Sequence, residues 1–220
     1  MRYLDKEALF FDLDGTLLNS LEGITNSFIY AFEKLKKKLP NEPISNFIGP
    51  PLVNSLERFY DDPEEISEII KCYREYYHNK GVYECKLYDG IKELIYELHE
   101  YGYRLYIATS KPTLFAKKII IEEFGMKDVF IEIYGASDDS RLSSKENILR
   151  QAFQSSGEDA VLSLMIGDSI WDKKGAIANN VDFAAVLYGF GERESIFDES
   201  NYFNAETVDD VGRFLLKSKT

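Results

Sequence analysis

Cysteine is scarce in this chain of 220 residues, which carries only Cys72 and Cys85. Two thiols cannot build the cross-linked framework of a small secreted domain, and no other metal-ligand spacing surrounds them. A disulfide scaffold and a zinc module are both excluded, leaving two reduced thiols. Basic charge is short as well. Lys and Arg number 26 against 38 Asp and Glu, a net charge of −12. The chain therefore lacks the basic footprint of a general nucleic-acid binder or of a protein held on anionic lipid. A small anion responds to the local field, so a positive pocket inside an acidic protein stays open. No apolar run approaches the roughly 20 residues that span a bilayer. The N-terminal stretch MRYLDKEALF carries acids and lacks a cleavable leader pattern. A cytoplasmic location, with no membrane or nucleic-acid partner, is the resulting expectation. The two histidines, His78 and His99, fall on expected helix surfaces with no nucleophile or metal pattern beside them, so neither is a candidate catalyst.

Aromatic residues are plentiful. Fifteen Phe, fifteen Tyr and a hydrophobic fraction of 45% support a well-filled core, with room in this length for one full domain and a second small one. The first apolar run, Ala8-Leu9-Phe10-Phe11, reads as a buried strand and ends abruptly in Asp12-Leu13-Asp14-Gly15-Thr16. The period then changes. Leu21, Ile24, Phe28, Ala31, Phe32 and Leu35 recur at three and four, one face of a helix, with Asn19 or Ser20 as its cap. Lys34, Lys36, Lys37 and Lys38 fall in its expected last turns, where cations suit the helix dipole as a solvated end. A loop with four of the six prolines follows, then a helix over about 52–60. A longer helix opens at Asp61-Asp62-Pro63, runs through Ile66, Ile69, Ile70, Tyr73 and Tyr77, and stops at Gly81. Tyr73, Tyr76 and Tyr77 read as packing within this block.

Beyond residue 86 helices alternate with strands that end at Thr109, Gly135, Asp168 and Gly189. Such alternation means right-handed crossovers and a parallel sheet. The expected fold is α/β, a Rossmann-like, mostly parallel sheet with helices on both faces. Residues 1–17 and 87–220 would form this core, and 18–86 a small all-helical cap inserted after the first strand.

In an open parallel sheet, ligands bind beyond the carboxyl ends of the strands. Those ends carry Asp12 and Asp14, then Thr109-Ser110-Lys111, then Asp168, with Asp172 one helical turn further and Lys145 opening a helix. Burying several carboxylates together is costly, because they repel and raise one another's pKa. A hard divalent cation resolves the conflict, and Mg2+ takes carboxylate and phosphate oxygens together. Asp12 and Asp14 can then divide labour, one aimed at phosphorus, the other moving a proton and offering its backbone carbonyl to the metal. Rival structural uses exist for each. Thr109-Ser110 can cap the helix before Pro112, Asp168 can cap the next one, Asp172 can serve a helix dipole, and Trp171 can simply pack.

FFDLDGTLLNS resembles the first motif of the haloacid dehalogenase-like hydrolases, YIATSK the second, RLSSKENIL the third and MIGDSIWDKKGA the fourth. All four stand in the family's order and span nearly the whole chain. The cap lies where members with a small helical cap carry it, and FIGPPL within it resembles phosphoglycolate phosphatase-like and nucleotidase-like members. The resemblance implies a Mg2+-dependent phosphatase acting on a small soluble phosphomonoester, such as phosphoglycolate or a nucleoside monophosphate. Asp12 would be the nucleophile and Asp14 the general acid and base. Thr109 and Ser110 would bind phosphoryl oxygens, and Lys145 would neutralise charge on the phosphoryl group and on Asp12. Asp12, Asp14 and Asp168 would hold the metal, with Asp172 orienting a metal-bound water or a neighbour. The third motif departs from the pattern in its spacing, so Arg141 or Lys111 stands as an alternative to Lys145. A sugar-phosphate mutase and a non-catalytic binding protein remain as alternative functions, and monomer or homodimer as the assembly.

Overall fold

The computed structural model describes residues 6–49, 52–137 and 144–216. In chain order the elements are β1 (Ala8–Phe11), β2 (Leu18–Asn19), α1 (Leu21–Lys34), α2 (Leu52–Leu56), α3 (Pro63–Asn79), β3 (Lys86–Leu87), α4 (Ile91–Glu100), β4 (Arg104–Pro112), α5 (Thr113–Lys117), β5 (Glu132–Ala136), α6 (Lys145–Ser156), β6 (Ser163–Gly167), α7 (Ile170–Ala178), β7 (Asp182–Val186), α8 (Arg193–Ile196), β8 (Asn204–Ala205) and α9 (Val208–Leu216). Six strands make one sheet in the order β5-β4-β1-β6-β7-β8. Every pair in it is parallel. Buried strands covered on both faces explain the near-continuous apolar runs in the sequence.

Alternation along each strand sorts the core into two faces. Leu9, Phe11, Leu105, Ile107, Leu164 and Ile166 point to one side, joined by Ile91, Leu94 and Leu98 of α4 and Leu215 of α9. Phe10, Tyr106 and Met165 point to the other, joined by Ile148, Leu149 and Ala152 of α6 and Ala176 of α7. The register aligns Phe11 with Ile107 on one side and Ile166 on the other. The residues just beyond these three positions therefore emerge side by side at one edge.

Between β2 and β3 lies the helical segment. These two short strands pair antiparallel, Leu18 opposite Leu87 and Asn19 opposite Lys86, so its entry and exit form one ribbon. Its own core is aromatic. Phe28 of α1 packs against Phe47 at 5.0 Å and Tyr73 of α3 at 4.8 Å between ring centroids. Among the described residues, no helix is long and apolar enough to cross a membrane.

Several local expectations change. α1 ends at Lys34, and Lys36 takes a left-handed turn with φ 54°. Lys36, Lys37 and Lys38 thus lie beyond the helix and do not complement its dipole. Instead Lys34 pairs with Glu75 at 2.6 Å and Lys37 with Glu65 at 2.7 Å, tying the end of α1 to α3. Ser20 occupies the N-cap position of α1 without a side-chain bond to the helix, and the preceding Asn19 accepts from the Leu21 N–H through Oδ1 at 3.3 Å. α2 is shorter than expected and turns out of the helix after Leu56. Gly81 is not the terminator of α3; it opens a short 3-10 turn. It is needed for closeness to α1, because a Cβ on Gly81 would lie 2.6 Å from Ser27 Oγ and 2.9 Å from the Gly23 carbonyl oxygen. β8 and α8 are too short to leave a periodic signal and were not expected.

Candidate active site

Asp12 leaves the end of β1 almost completely buried. Lys145, the first residue of α6, meets it with Nζ 2.6 Å from Asp12 Oδ1. The same ammonium donates to the Ala108 carbonyl at 2.8 Å and lies 2.8 Å from Asp172 Oδ1. Two of its three hydrogens are thus donated, and the Asp172 contact adds a buried ion pair. Lys145 reaches this point across Gly175, where a Cβ would come 2.7 Å from Lys145 Cγ. The α6 cap that aims it is Ser144, which accepts from the Asn147 N–H at 3.3 Å.

Asp168 follows β6. Its Oδ1 accepts from the Thr16 hydroxyl at 3.2 Å, and its Oδ2 from the N–H groups of Phe190 at 2.8 Å and Gly191 at 3.2 Å. Glycines make room around it. A Cβ on Gly15 would fall 2.2 Å from Asp168 Oδ2, and one on Gly189 2.3 Å from Asp168 Cβ. Asp172 is fully buried and forms a capping box with Ser169, its Oδ2 accepting from the Ser169 N–H at 3.0 Å and Oγ at 2.7 Å. Oxygens of Asp12, Asp168 and Asp172 lie within 4.8 Å of one another.

Asp14 faces a different cation. Its Oδ2 is 2.9 Å from Lys111 Nζ, while its Oδ1 is buried with no hydrogen-bond partner among the described residues. Lys111 also donates to the Tyr77 hydroxyl. Thr109 is buried, and its Oγ1 accepts from the Lys111 N–H at 3.1 Å. Ser110 is half-buried beside it. So the third-motif alternatives separate: Lys145 meets Asp12, Lys111 meets Asp14, and Arg141 lies outside the described residues, as do Pro50 and Pro51 of the FIGPPL stretch.

The rival structural readings sort out unevenly. Thr109 and Ser110 do not cap α5, because β4 runs on to Pro112 and Pro112 precedes that helix. Asp168 does not cap α7, since Ser169 does. Asp172 does serve the helix start, and it meets Lys145 as well. Trp171 is exposed and does not pack into the core, and the Lys174 ammonium lies 5.0 Å from its ring centroid. Tyr73 is packing, but Tyr77 also reaches the sheet edge. Sequence reasoning missed that contact and the Gly189-Phe190-Gly191 loop. The loop's signal was present, a pair of glycines at the carboxyl end of β7.

Electrostatics follow from burial. Loss of solvent, with the Asp172 carboxylate next, pushes the Asp12 carboxyl up to about 7 against the pull of Lys145. Burial likewise drives the Asp168 carboxyl well above its ordinary range, with Asp172 and Asp12 adding to it and the two loop N–H groups opposing. Burial works against the Lys145 ammonium, but Asp12 and Asp172 outweigh it and hold its pKa above the usual lysine value. A cluster of hard oxygens this reluctant to ionise fits a small divalent cation, which would stabilise the charged forms. Asp12 and Asp168 are the side chains best suited to hold it. Asp172 Oδ1 faces an ammonium, and its Oδ2 is committed to Ser169.

A parallel sheet whose strand ends gather buried acids with two buried lysines defines a phosphoryl-transfer hydrolase. The family model of the haloacid dehalogenase-like hydrolases matches residues 9–186, and the chain belongs to that family. It is 39% identical over 190 residues to the 5'-nucleotidase of Pseudomonas aeruginosa, covering 86% of each chain. It is 33% identical over 208 residues to the tyrosine-protein kinase PtkA of Mycobacterium tuberculosis, covering 93% of this chain and 71% of the relative. A predicted phosphatase from Clostridium acetobutylicum superimposes with a TM-score of 0.88 at 39% identity, covering 96% of this chain and 98% of the other. The protein is an enzyme of this family, with phosphatase activity.

Proposed function

We propose that the protein is a Mg2+-dependent phosphatase that hydrolyses a small phosphomonoester through an aspartyl-phosphate on Asp12. Among such esters we favour a nucleoside 5'-monophosphate, which the name of the Pseudomonas relative supports. The observation that carries the mechanism is the Asp12–Lys145 contact of 2.6 Å inside a cluster of buried acids. Lys145 fixes one oxygen of Asp12 and leaves Oδ2 to attack phosphorus. As that bond forms, the ester P–O bond breaks, and Asp14 gives its proton to the leaving oxygen. Asp14 then takes a proton from water as the water attacks the phosphorylated Asp12, releasing phosphate and restoring the carboxylate. Thr109 and Ser110 orient the phosphoryl oxygens, and Lys145 offsets the charge that builds on them. Mg2+, held by Asp12, Asp168 and the Asp14 backbone carbonyl, would add charge neutralisation at the phosphoryl group. The helical segment 18–86 acts as a lid that admits substrate and then excludes water.

The test is phosphate release from 4-nitrophenyl phosphate and from a panel holding AMP, other nucleoside monophosphates and phosphoglycolate, with and without Mg2+. Asp12→Asn is expected to lower kcat by at least about a thousandfold. Equal rates for the two proteins would remove Asp12 from the reaction. A requirement for a sugar bisphosphate, with no net phosphate released, would indicate a mutase instead.

A further inference from the structure

The reaction scheme leaves the buried ammonium of Lys111 unused. It is nearly as enclosed as Lys145, and it joins two parts of the molecule. On the sheet side it meets Asp14 Oδ2 at 2.9 Å. On the other side it donates to the hydroxyl of Tyr77, which stands on α3 within the helical segment, and its Nζ is 5.0 Å from that ring's centroid. The Tyr77 ring is fixed from both directions. It stacks on Tyr73 of α3 at 5.6 Å and meets Phe115 of α5 edge-on at 5.9 Å. Phe115 also receives the ring of His78 at 4.5 Å. Tyr77 therefore reaches Lys111 only when α3 is docked on α5.

We propose that Tyr77 and Lys111 are positioning residues that set the Asp14 carboxyl for proton transfer only when the helical segment is docked on the sheet edge. The proposal rests on the role given to Asp14 above. Asp14 Oδ1 has no hydrogen-bond partner among the described residues, so the contact between Oδ2 and Lys111 carries its orientation. Lys111 in turn divides its hydrogens between Asp14 and a hydroxyl supplied from the other unit. With the helical segment swung away, that hydroxyl leaves. The buried ammonium then loses a partner and the carboxylate its fixed geometry. Proton transfer is sensitive to such displacement, because a general acid must lie within hydrogen-bond reach of the oxygen it protonates. Docking of the helical segment and readiness of the acid thus become one event.

The step concerned forms the Asp12–phosphorus bond, breaks the bond from phosphorus to the leaving oxygen, and moves one proton from Asp14 to that oxygen. Its dependence on the acid grows as the leaving group worsens. Phenyl phosphate and 4-nitrophenyl phosphate have nearly the same shape, but phenolate is much the poorer leaving group, so kcat/KM for the pair isolates the proton. In Tyr77→Phe, which keeps the ring stack and removes only the hydroxyl, kcat/KM for phenyl phosphate is expected to fall about tenfold, and for 4-nitrophenyl phosphate no more than about twofold. Lys111→Met is expected to lower the same ratio further, and adding Tyr77→Phe to it should change the ratio no more. Lys111→Arg should recover part of it. Equal losses on both substrates, or no loss on either, would overturn the proposal, and Tyr77→Phe decides this even if Lys111→Met does not fold. An equal drop of the ratio in both backgrounds would show that Tyr77 does not act through Lys111, which also overturns it. Asp12→Asn, run alongside, separates the two levels. If it keeps full activity, the reaction scheme itself fails; if it is inactive while Tyr77→Phe is normal, only the positioning role does.

Discussion

The sheet edge and the helical segment are built to different tolerances. At the edge, backbone ladders fix β1, β4 and β6 in register, so Asp12, Thr109 and Asp168 leave the sheet at positions set by main-chain hydrogen bonds. Each acid there is then held by donors from at least one other element. Among the described residues the helical segment has no such ladder beyond its two-residue ribbon, and its interior packs the rings of Phe28, Phe47 and Tyr73 with aliphatic chains such as Leu56 and Ile69. Aromatic packing tolerates small shifts that a charged cluster does not, since contact energy is spread over many weak pairs. In the proposed mechanism, chemistry sits on the stiff part, and the part proposed to move is joined to it by side chains. Substitutions at the edge should therefore cost activity as well as stability, and packing substitutions inside the helical segment chiefly stability.

The largest effect expected is that of Lys145→Met. It removes the cation shared by Asp12 and Asp172, and kcat should fall by roughly a hundredfold to a thousandfold, as for loss of one charge-stabilising donor. The loss of a buried partner should also cost about 3–5 kcal/mol in denaturant unfolding. Gly189→Ala comes next. Its Cβ would overlap Asp168, which must shift, and Mg2+ affinity measured by calorimetric titration should weaken about tenfold to a hundredfold. Unchanged affinity would show that Asp168 does not hold the ion. Phe28→Ala tests the other region. It should cost about 3–5 kcal/mol of stability, yet kcat for 4-nitrophenyl phosphate, measured well below the melting temperature, should stay within about threefold of the parent's. A loss there as large as that of Lys145→Met would erase the contrast between the two regions.

The smallest effect expected concerns pH. The Asp12 carboxyl titrates at about 7 in the folded chain against 3.8 for the free group, and Asp168 is displaced in the same direction. Between those values the folded state binds the extra protons, so its stability falls as pH rises and levels off above the folded pKa. Metal-free protein should thus melt a few degrees lower at about pH 7.5 than at about pH 5.5 in scanning calorimetry, and saturating Mg2+ should remove the difference. The lowered carboxyls of Glu84, Glu132 and Glu158 act oppositely, but only below their ordinary value of 4.5.

Much of the edge was legible in the sequence because β1 and β6 are short apolar runs that end in acids. A parallel sheet leaves only one place for such ends to meet. Lys145 was legible only through motif order, since its partners are 133 and 27 positions away along the chain. The contact of Tyr77 with Lys111 was not legible at all. Helical spacing assigned Tyr77 correctly to a buried face but says nothing of what its hydroxyl touches across another unit. The lysines after α1 were misread for a related reason. A periodic pattern marks where a helix is favourable, but α1 ends early in a left-handed turn at Lys36, and the partners of Lys34 and Lys37 stand on a helix 28 to 41 residues further on.

The paired strands at Leu18–Asn19 and Lys86–Leu87 have a wider consequence. They bring both necks of a long detour to a single point on the scaffold, so residues 20–85 can lengthen, shorten or be exchanged wholesale without disturbing the order in which the sheet is laid down. A lineage that keeps this junction can replace the whole stretch in one piece while the sheet edge beneath it stays as it is.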